Sequence, residues 1–272
     1  MYVEQPMRKL TLITFLLLSL TVAGFGQKPK SQEELDMLLA VKDAMDPTAQ
    51  VEAVHALLVT FKNTEFKEWA NLVAMTAYSK LNDFENMLLY GEETLAHNPD
   101  NVDVLTILAY AIPTRTKEFD FDKEEKLTKA EGFARRALHV IPTMEKTNPE
   151  LPDEEWISLR NDLVASSQDA LGLIAFLRGD YEAAEQAYRI SIEMASTENP
   201  TTFYHFARTL RQTGSNDDVL TMVEKSIALG GVIVGDKDLA KTLKAEIIRD
   251  KARAMFNFGS KPKPPTTKTP VE

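Results

Sequence analysis

The residues best suited to bind a charged group are a tyrosine and two arginines in the C-terminal part of the chain. Tyr204, Arg208 and Arg211 are spaced three to four residues apart, so on a helix they share one face. An arginine can bind a carboxylate through two parallel hydrogen bonds, and a tyrosine adds contact area at low entropic cost. The spacing predicts a site for a carboxylate, such as a peptide end. The alternative is that both arginines pair with nearby acidic residues.

The histidines and cysteines show no spacing that is typical of catalysis or metal binding. His55, His97, His139 and His205 are far apart, and none has the second histidine or carboxylate of a zinc motif. His97 and His139 fall near predicted helix C-termini, where a cation interacts favourably with the helix dipole. The chain has no cysteine, which excludes thiol catalysis and cysteine-bound metals. We therefore expect no catalytic residue, no metal site and no cofactor.

The acidic and glycine-rich runs also have simple structural interpretations. Residues 118–125 could offer oxygen ligands to calcium, but they lack the glycine and alternating aspartates of an EF-hand loop. We expect a solvated loop there, with Phe119 and Phe121 pinning it onto the rest of the protein. Residues 230–235 are glycine-rich but lack the lysine of a phosphate-binding loop, so they predict a helix end followed by a turn.

Composition and the two ends of the chain limit the possible partners and location. The net charge of −10 argues against nucleic acid as the main partner, because phosphate binding needs a basic surface. Residues 1–26 have the basic start, apolar centre and small residues of a secretory signal peptide. The alternative is a retained membrane anchor, but the apolar run is short for a membrane span. Without a cysteine for lipid attachment, we expect a periplasmic or secreted protein with no membrane span after cleavage. Residues 258–272, rich in proline, lysine and threonine, predict a disordered tail.

The helices that must position these residues are clearest in the segment 171–195. Its apolar residues have helical spacing on both sides of a tight turn at residues 179–181, which predicts two short antiparallel helices. The small and aromatic residues that mark this pattern are Leu171, Gly172, Gly179, Tyr181, Ala184 and Tyr188. Such a hairpin cannot bury its apolar face alone, so one copy predicts neighbouring copies.

Weaker copies of the same pattern recur along the chain. Residues 27–257 are predicted to form the array, with Asn82 taking the place of a turn glycine in the second copy. The third copy is longer than the usual period, and the excess lies in Pro113–Asp122, between its two helices. The predicted repeats cover residues 31–63, 67–99, 102–142, 165–198 and 200–232, followed by a capping helix over 236–257.

On these residues the chain resembles the tetratricopeptide repeat (TPR) family. The resemblance implies an all-α fold, a right-handed α-solenoid of antiparallel helix hairpins with a C-terminal capping helix. In this family the first helix of each repeat lines a concave groove that binds a peptide or a partner protein. Transferred by register, the groove residues are Thr76, Lys80, Asp103, Thr106, Tyr110, Asp169, Leu173, Phe176, Tyr204, Arg208, Arg211 and Gln212.

The resemblance implies a non-enzymatic interaction scaffold, here expected in the bacterial cell envelope. The identity of its protein or peptide partner cannot be read from the sequence. The alternative is a cell-wall-associated enzyme or glycan-binding protein, which would need two carboxylates facing each other across a pocket. Asp103 and Asp169 are the only obvious pair predicted to point inward.

Overall fold

The computed structural model describes residues 28–146, 148–214 and 216–259, and for residues 216, 217 and 254–259 only the backbone. The predicted signal peptide and tail residues 260–272 lie outside this part. The described chain forms two compact units, residues 28–198 and residues 199–259. None of the helices in the described ranges is both long enough and apolar enough to cross a bilayer.

Helix hairpins follow one another along the chain, and the predicted all-α solenoid class is confirmed. The larger unit holds four hairpins, and the smaller unit holds one hairpin, a short β-hairpin and a final helix. In chain order the elements are α1 (Gln32–Asp43), α2 (Pro47–Thr60), α3 (Lys67–Lys80), α4 (Phe84–His97), α5 (Val102–Arg115), α6 (Lys123–Val140), α7 (Asp153–Arg178), α8 (Tyr181–Met194), α9 (Pro200–Thr213), α10 (Asn216–Ala228), β1 (Ile233–Val234), β2 (Lys237–Asp238) and α11 (Leu239–Gly259).

Local sequence explains why the helices begin and end where they do. Side-chain oxygens just before seven of the helices accept backbone N–H groups of the first turn, which would otherwise lack partners. Among the described residues these caps are Ser31, Asp46, Asp83, Asn101, Asp180, Asn199 and Asp238. Gly179 and Gly214 end α7 and α9 in the left-handed conformation, each at φ +82°. Asn82, at φ +56°, adopts the same conformation between α3 and α4, as its position in the repeat predicts.

The connection between α5 and α6 is shorter than the sequence predicts. Helix α5 continues through Pro113 to Arg115, so only residues 116–122 are outside the helices. The hydroxyls of Thr114 and Thr116 donate to the carbonyls of Ala111 and Ile112, at 2.7 and 2.9 Å. These bonds satisfy carbonyls in the last turn of the helix, where backbone donors run out.

One of the next two boundaries agrees with the expectation and the other differs from it. The sequence predicts a long helix that starts at Asp153 and runs into Leu171, and α7 begins at Asp153; its Leu163 and Val164 pack on the cluster around Leu105 and Ile141. Residues 233–238, expected to form only a turn and the start of the last helix, form an antiparallel pair of strands. Helix α11 therefore starts at Leu239, where Asp238 caps it by accepting the N–H groups of Ala240 and Lys241.

Small residues bring the helices of each hairpin close together. Helices α7 and α8 approach closely, because a Cβ added at Gly172 would lie 2.8 Å from the ring of Tyr188. Tyr188 has no exposed surface, so its ring fills the space that the missing side chain leaves. Ala109, Ala134 and Ala170 form an equally buried contact between α5, α6 and α7. Packing of this kind fixes which side chains remain at the surface.

Candidate functional site

Three of the predicted groove residues are interior residues in the structure. Thr106 and Asp169 are 6% exposed and Leu173 is 4% exposed. The reason is that α5 and α7, the first helices of successive hairpins, pack against each other along this face. The Thr106 hydroxyl donates to the carbonyl of Val102 at 2.9 Å, so it serves its own helix. These three side chains cannot reach a ligand on the surface.

Three other predicted residues of the larger unit retain accessible polar groups. Lys80 is exposed at the end of α3, and Thr76 is half-buried one turn earlier. The Thr76 hydroxyl donates to the carbonyl of Leu72 at 2.9 Å. Asp103 is half-buried at the start of α5, and this burial raises the pKa of its carboxyl group. The first helices α3 and α5 thus carry an exposed ammonium, a hydroxyl bonded to its own helix and a half-buried carboxyl group.

Tyr110 and Phe176 are both half-buried. Tyr110 packs on the alanine contact of Ala109, Ala134 and Ala170. Burial raises the pKa of Tyr110, and the negative charge of Asp169 raises it further. The ring of Phe176 meets the edge of the Tyr181 ring, with centroids 5.6 Å apart. Both aromatic side chains contribute mainly to packing within the hairpins.

In the smaller unit, α9 carries the remaining predicted residues. The Arg208 guanidinium lies 5.7 Å from the centroid of the Tyr204 ring, within the range of a cation–π contact. Burial raises the pKa of Tyr204, which keeps its hydroxyl protonated and able to donate a hydrogen bond. Gln212 is exposed at the end of the helix. Tyr204 and Arg208 therefore form a compact aromatic and cationic pair.

Arg211 pairs with nearby acidic residues, which is the alternative that the sequence left open for the two arginines. Its guanidinium forms ion pairs with Glu246 at 2.8 Å and Asp250 at 2.7 Å, both on α11. Hydrogen bonds to these two carboxylates raise the pKa of Arg211 further above its already high value. The side chain joins α9 to the last helix and is committed within its own unit. Arg211 therefore joins two helices of this unit, although it shares one helical face with Tyr204 and Arg208.

The surroundings of the four histidines indicate structural roles, at helix ends and in side-chain packing. His97 and His139 lie in the last turns of α4 and α6, as the sequence predicts. His55 on α2 contacts the hydroxyl of Tyr90 on α4 through its Nε2 atom at 2.7 Å. Burial, with a smaller effect of Arg208, lowers the pKa of His205 to about 3, so this ring is neutral at physiological pH. Within the described ranges, no three histidine, aspartate or glutamate side chains come together to hold a metal ion.

The loop between α5 and α6 contradicts the expected pinning of its aromatic residues. Phe119 is 90% exposed and Phe121 is 111% exposed, so neither ring packs onto the helices. Asp120, which lies between them, points inward instead and accepts hydrogen bonds from the Lys117 N–H and the Lys126 ammonium. The sequence did indicate that two aromatic residues in an acidic loop are unusual. It could not indicate that the loop is held by its polar residue.

Comparison with known proteins identifies the fold. No protein-family model matches the chain, and no curated protein matches it. Among solved structures, PilW, a widely conserved type IV pilus biogenesis factor, superposes with a TM-score of 0.54 at 16% identity, over 85% of this chain and 96% of PilW. The chain has the tetratricopeptide repeat fold.

A second TPR structure covers a similar share of the molecule. TTC0263, a thermophilic TPR protein in Thermus thermophilus, gives a TM-score of 0.49 at 16% identity, over 80% of this chain and 96% of TTC0263. At this identity the likeness concerns the fold alone. For this chain, function must therefore be inferred from the residues that hairpin packing leaves at the surface.

Proposed function

We propose that the protein is a non-enzymatic scaffold that binds a peptide or partner protein on the first helices of its hairpins. The observation that carries this proposal is the set of accessible polar residues on those helices. Lys80 and Asp103 provide opposite charges on α3 and α5, while Tyr204 and Arg208 provide an aromatic surface and a cation on α9. None of these four has the deep burial of the packing residues around them.

The chemistry of these residues fits a polar peptide better than a small substrate. A guanidinium can bind a peptide carboxylate through two hydrogen bonds, and an exposed ammonium and a half-buried carboxylate can bind side chains of opposite charge. Each contact on an open surface contributes modestly, so affinity would come from several contacts on the first helices of a single unit. This mode of binding requires no catalytic group.

The enzyme alternative loses one of its two necessary residues. Acid–base catalysis by Asp103 and Asp169 would require both carboxylates to face a shared pocket. Asp169 is 6% exposed and lies in the packing of α7, so it is not presented to a substrate at the surface.

We place this scaffold in the bacterial cell envelope, in the periplasm or secreted from it. The support is the signal-like sequence of residues 1–26, with its basic start and apolar centre. Fractionation of the cells that produce the protein, followed by N-terminal sequencing, tests the location. A protein that begins at residue 25 or 27 in the periplasmic or extracellular fraction is the expected result. A cytoplasmic protein that retains residues 1–26 would contradict it.

Charge reversal on the first helices tests the binding function. Tagged wild-type protein, Lys80→Glu and Arg208→Glu are used to recover partners from envelope extracts, and the partners are identified by mass spectrometry. Arg211 is left intact, because its loss would also release α11. Arg136→Glu is the matched control, since it makes the same charge change as Arg208→Glu on the second helix α6, where Arg136 pairs with exposed Asp100.

We expect at least one partner of the wild-type protein to be lost from the Lys80→Glu or Arg208→Glu sample and kept by Arg136→Glu. Partner lists that are identical for all four proteins would exclude binding on the first helices. Circular dichroism of each variant confirms that the helices are intact before the lists are compared.

A further inference from the structure

The loop between α5 and α6 presents two phenylalanine side chains to solvent in a fixed arrangement. Phe119 and Phe121 are 90% and 111% exposed, and among the described large apolar side chains none is more exposed than Phe121. Single exposed apolar residues are common on protein surfaces, but two aromatic rings at the tip of one loop form an apolar patch. The loop exposes its aromatic residues and turns its aspartate inward.

Asp120 holds this arrangement in place. Its carboxylate accepts the Lys117 N–H at 3.1 Å and the Lys126 ammonium at 3.2 Å, and these hydrogen bonds lower the pKa of Asp120. Its backbone N–H donates to the carbonyl of Lys117 at 3.3 Å, and its own carbonyl accepts the N–H of Lys123 at 3.1 Å. Lys126 also pairs with Asp122 at 2.8 Å. These bonds hold the loop backbone on both sides of Asp120 before any partner arrives, which reduces the part of the entropic cost of binding that comes from ordering the backbone.

The charges around the two rings define the chemistry of the partner. Residues 117–126 contain five carboxylates and three lysines, so the segment has a net charge of −2. Within the described part of the chain, Glu118 and Glu125 form no ion pair, while Asp120, Asp122 and Glu124 are paired with Lys126 or Arg178. A complementary surface would offer apolar pockets for the rings and basic residues around them.

A lipid membrane fits these observations less well than a protein. Stable membrane attachment usually combines an apolar anchor with a second signal, most often a basic patch. The acidic surroundings of this loop repel anionic headgroups instead. A second copy of the chain is also disfavoured, because each copy carries a net charge of −10.

We propose that Phe119 and Phe121 form a docking site for a protein partner whose apolar pockets are rimmed by basic residues. This site is distinct from the first-helix residues of the proposed function, because it lies on the connection between two helices. It gives the scaffold a second contact surface whose specificity comes from two aromatic anchors and the carboxylates beside them.

Photo-crosslinking tests the site in the cells that produce the protein. The photoreactive phenylalanine analogue p-benzoylphenylalanine replaces Phe121, which keeps an aromatic anchor at this position. Met45, which is 95% exposed on the connection between α1 and α2, is replaced in the same way as the exposure-matched control. The expected result is one defined protein adduct from position 121 that is absent from position 45.

The adduct supports the proposal only if its yield, and the affinity for the partner, depend on the acidic and aromatic residues of the loop. Reversal of charge in Glu118→Lys/Glu125→Lys is expected to reduce the adduct at least tenfold. With the purified partner, Phe119→Ala and Phe121→Ala are each expected to weaken binding about tenfold to thirtyfold. Higher salt concentration should also weaken binding of the wild-type protein, because salt screens the attraction between the loop carboxylates and a basic partner. Unchanged circular dichroism and melting temperature show that the variants are folded.

Four outcomes would overturn the proposal. The first is an adduct with a second copy of the chain, and the second is the absence of any adduct specific to position 121. The third is binding that is insensitive to both phenylalanines or to the charge reversal. The fourth is sedimentation of the wild-type protein, but not of Phe119→Ala/Phe121→Ala, with vesicles of phosphatidylcholine and phosphatidylglycerol. That result would assign the rings to a membrane surface.

Discussion

The hairpins α7–α8 and α5–α6 use similar helix contacts but very different connections. Gly172 packs against Tyr188 in the hairpin α7–α8, and Ala109 and Ala134 form a buried contact within the hairpin α5–α6. Between α7 and α8 the chain turns within residues 179–180, whereas residues 116–122 connect α5 to α6 and carry two exposed phenylalanines. The comparison indicates that small packing residues maintain the repeat, while the connection is free to present side chains to a partner.

The largest effect is expected from removing the aromatic ring that closes α7–α8. Tyr188→Ala should lower the free energy of unfolding by about 3–5 kcal/mol, because a fully buried ring is lost and a cavity remains beside Gly172. Urea denaturation followed by far-ultraviolet circular dichroism measures the change. A loss below about 1 kcal/mol, within the range of an ordinary surface substitution, would show that this contact is not a main source of stability.

A pair of glycine substitutions sharpens the comparison between the two hairpins. Gly172→Ala should destabilise the protein by about 1–2 kcal/mol, because the added Cβ would lie 2.8 Å from the Tyr188 ring. Gly132 lies on α6 with no atom near the position of an added Cβ. Gly132→Ala should therefore stabilise by up to about 1 kcal/mol through helix propensity alone. Effects of the same sign in both variants would contradict the close helix approach at Gly172.

The order of the 116–122 loop should depend on the ionised form of Asp120. Hydrogen bonds from Lys117 and Lys126 lower its pKa, so the ionised carboxylate is favoured in the folded loop. The loop should thus be ordered at neutral pH and should loosen as the pH falls through this lowered pKa. Asp120→Asn should have the same effect at neutral pH, seen as faster hydrogen exchange of the Lys117, Asp120 and Lys123 amides.

Asp122→Asn is the matched control for the loop. It removes the other ion pair of Lys126 but no side-chain bond to these amides. Its hydrogen exchange should resemble that of the wild-type protein. Equal loosening in Asp120→Asn and Asp122→Asn would indicate that charge around Lys126, rather than the bonds of Asp120, orders the loop.

The helices were largely predictable because their signals are local. Capping residues such as Asp83 and Asn101, and left-handed positions such as Gly179 and Asn82, mark helix ends through interactions within a few residues. The long helix α7 was predictable for the same reason, because it begins in the acidic run at Asp153, and acidic residues favour the first turn of a helix. The short β-hairpin at residues 233–238 was not predicted, because two residues per strand leave no alternating pattern to recognise.

For the site residues, too, local features were predictable and features that depend on distant contacts were not. Helical spacing placed Tyr204, Arg208 and Arg211 on one face, but it could not show that acidic residues of α11 pair with Arg211. Register in the repeat could not show that Asp169 and Leu173 are buried, because burial depends on how closely α5 and α7 approach. The exposure of Phe119 and Phe121 follows from the inward bonds of Asp120, which hydrophobicity alone does not predict.

The most direct test of this account is the unfolding free energy of Phe119→Ala/Phe121→Ala, measured beside Gly172→Ala under the same conditions. If packing and presentation are carried by separate residues, the phenylalanine variant should unfold within about 0.5 kcal/mol of the wild-type protein, since both rings are already in solvent. A loss of more than about 1 kcal/mol, comparable to that of Gly172→Ala, would show that the rings pin the loop onto the helices and would contradict the account.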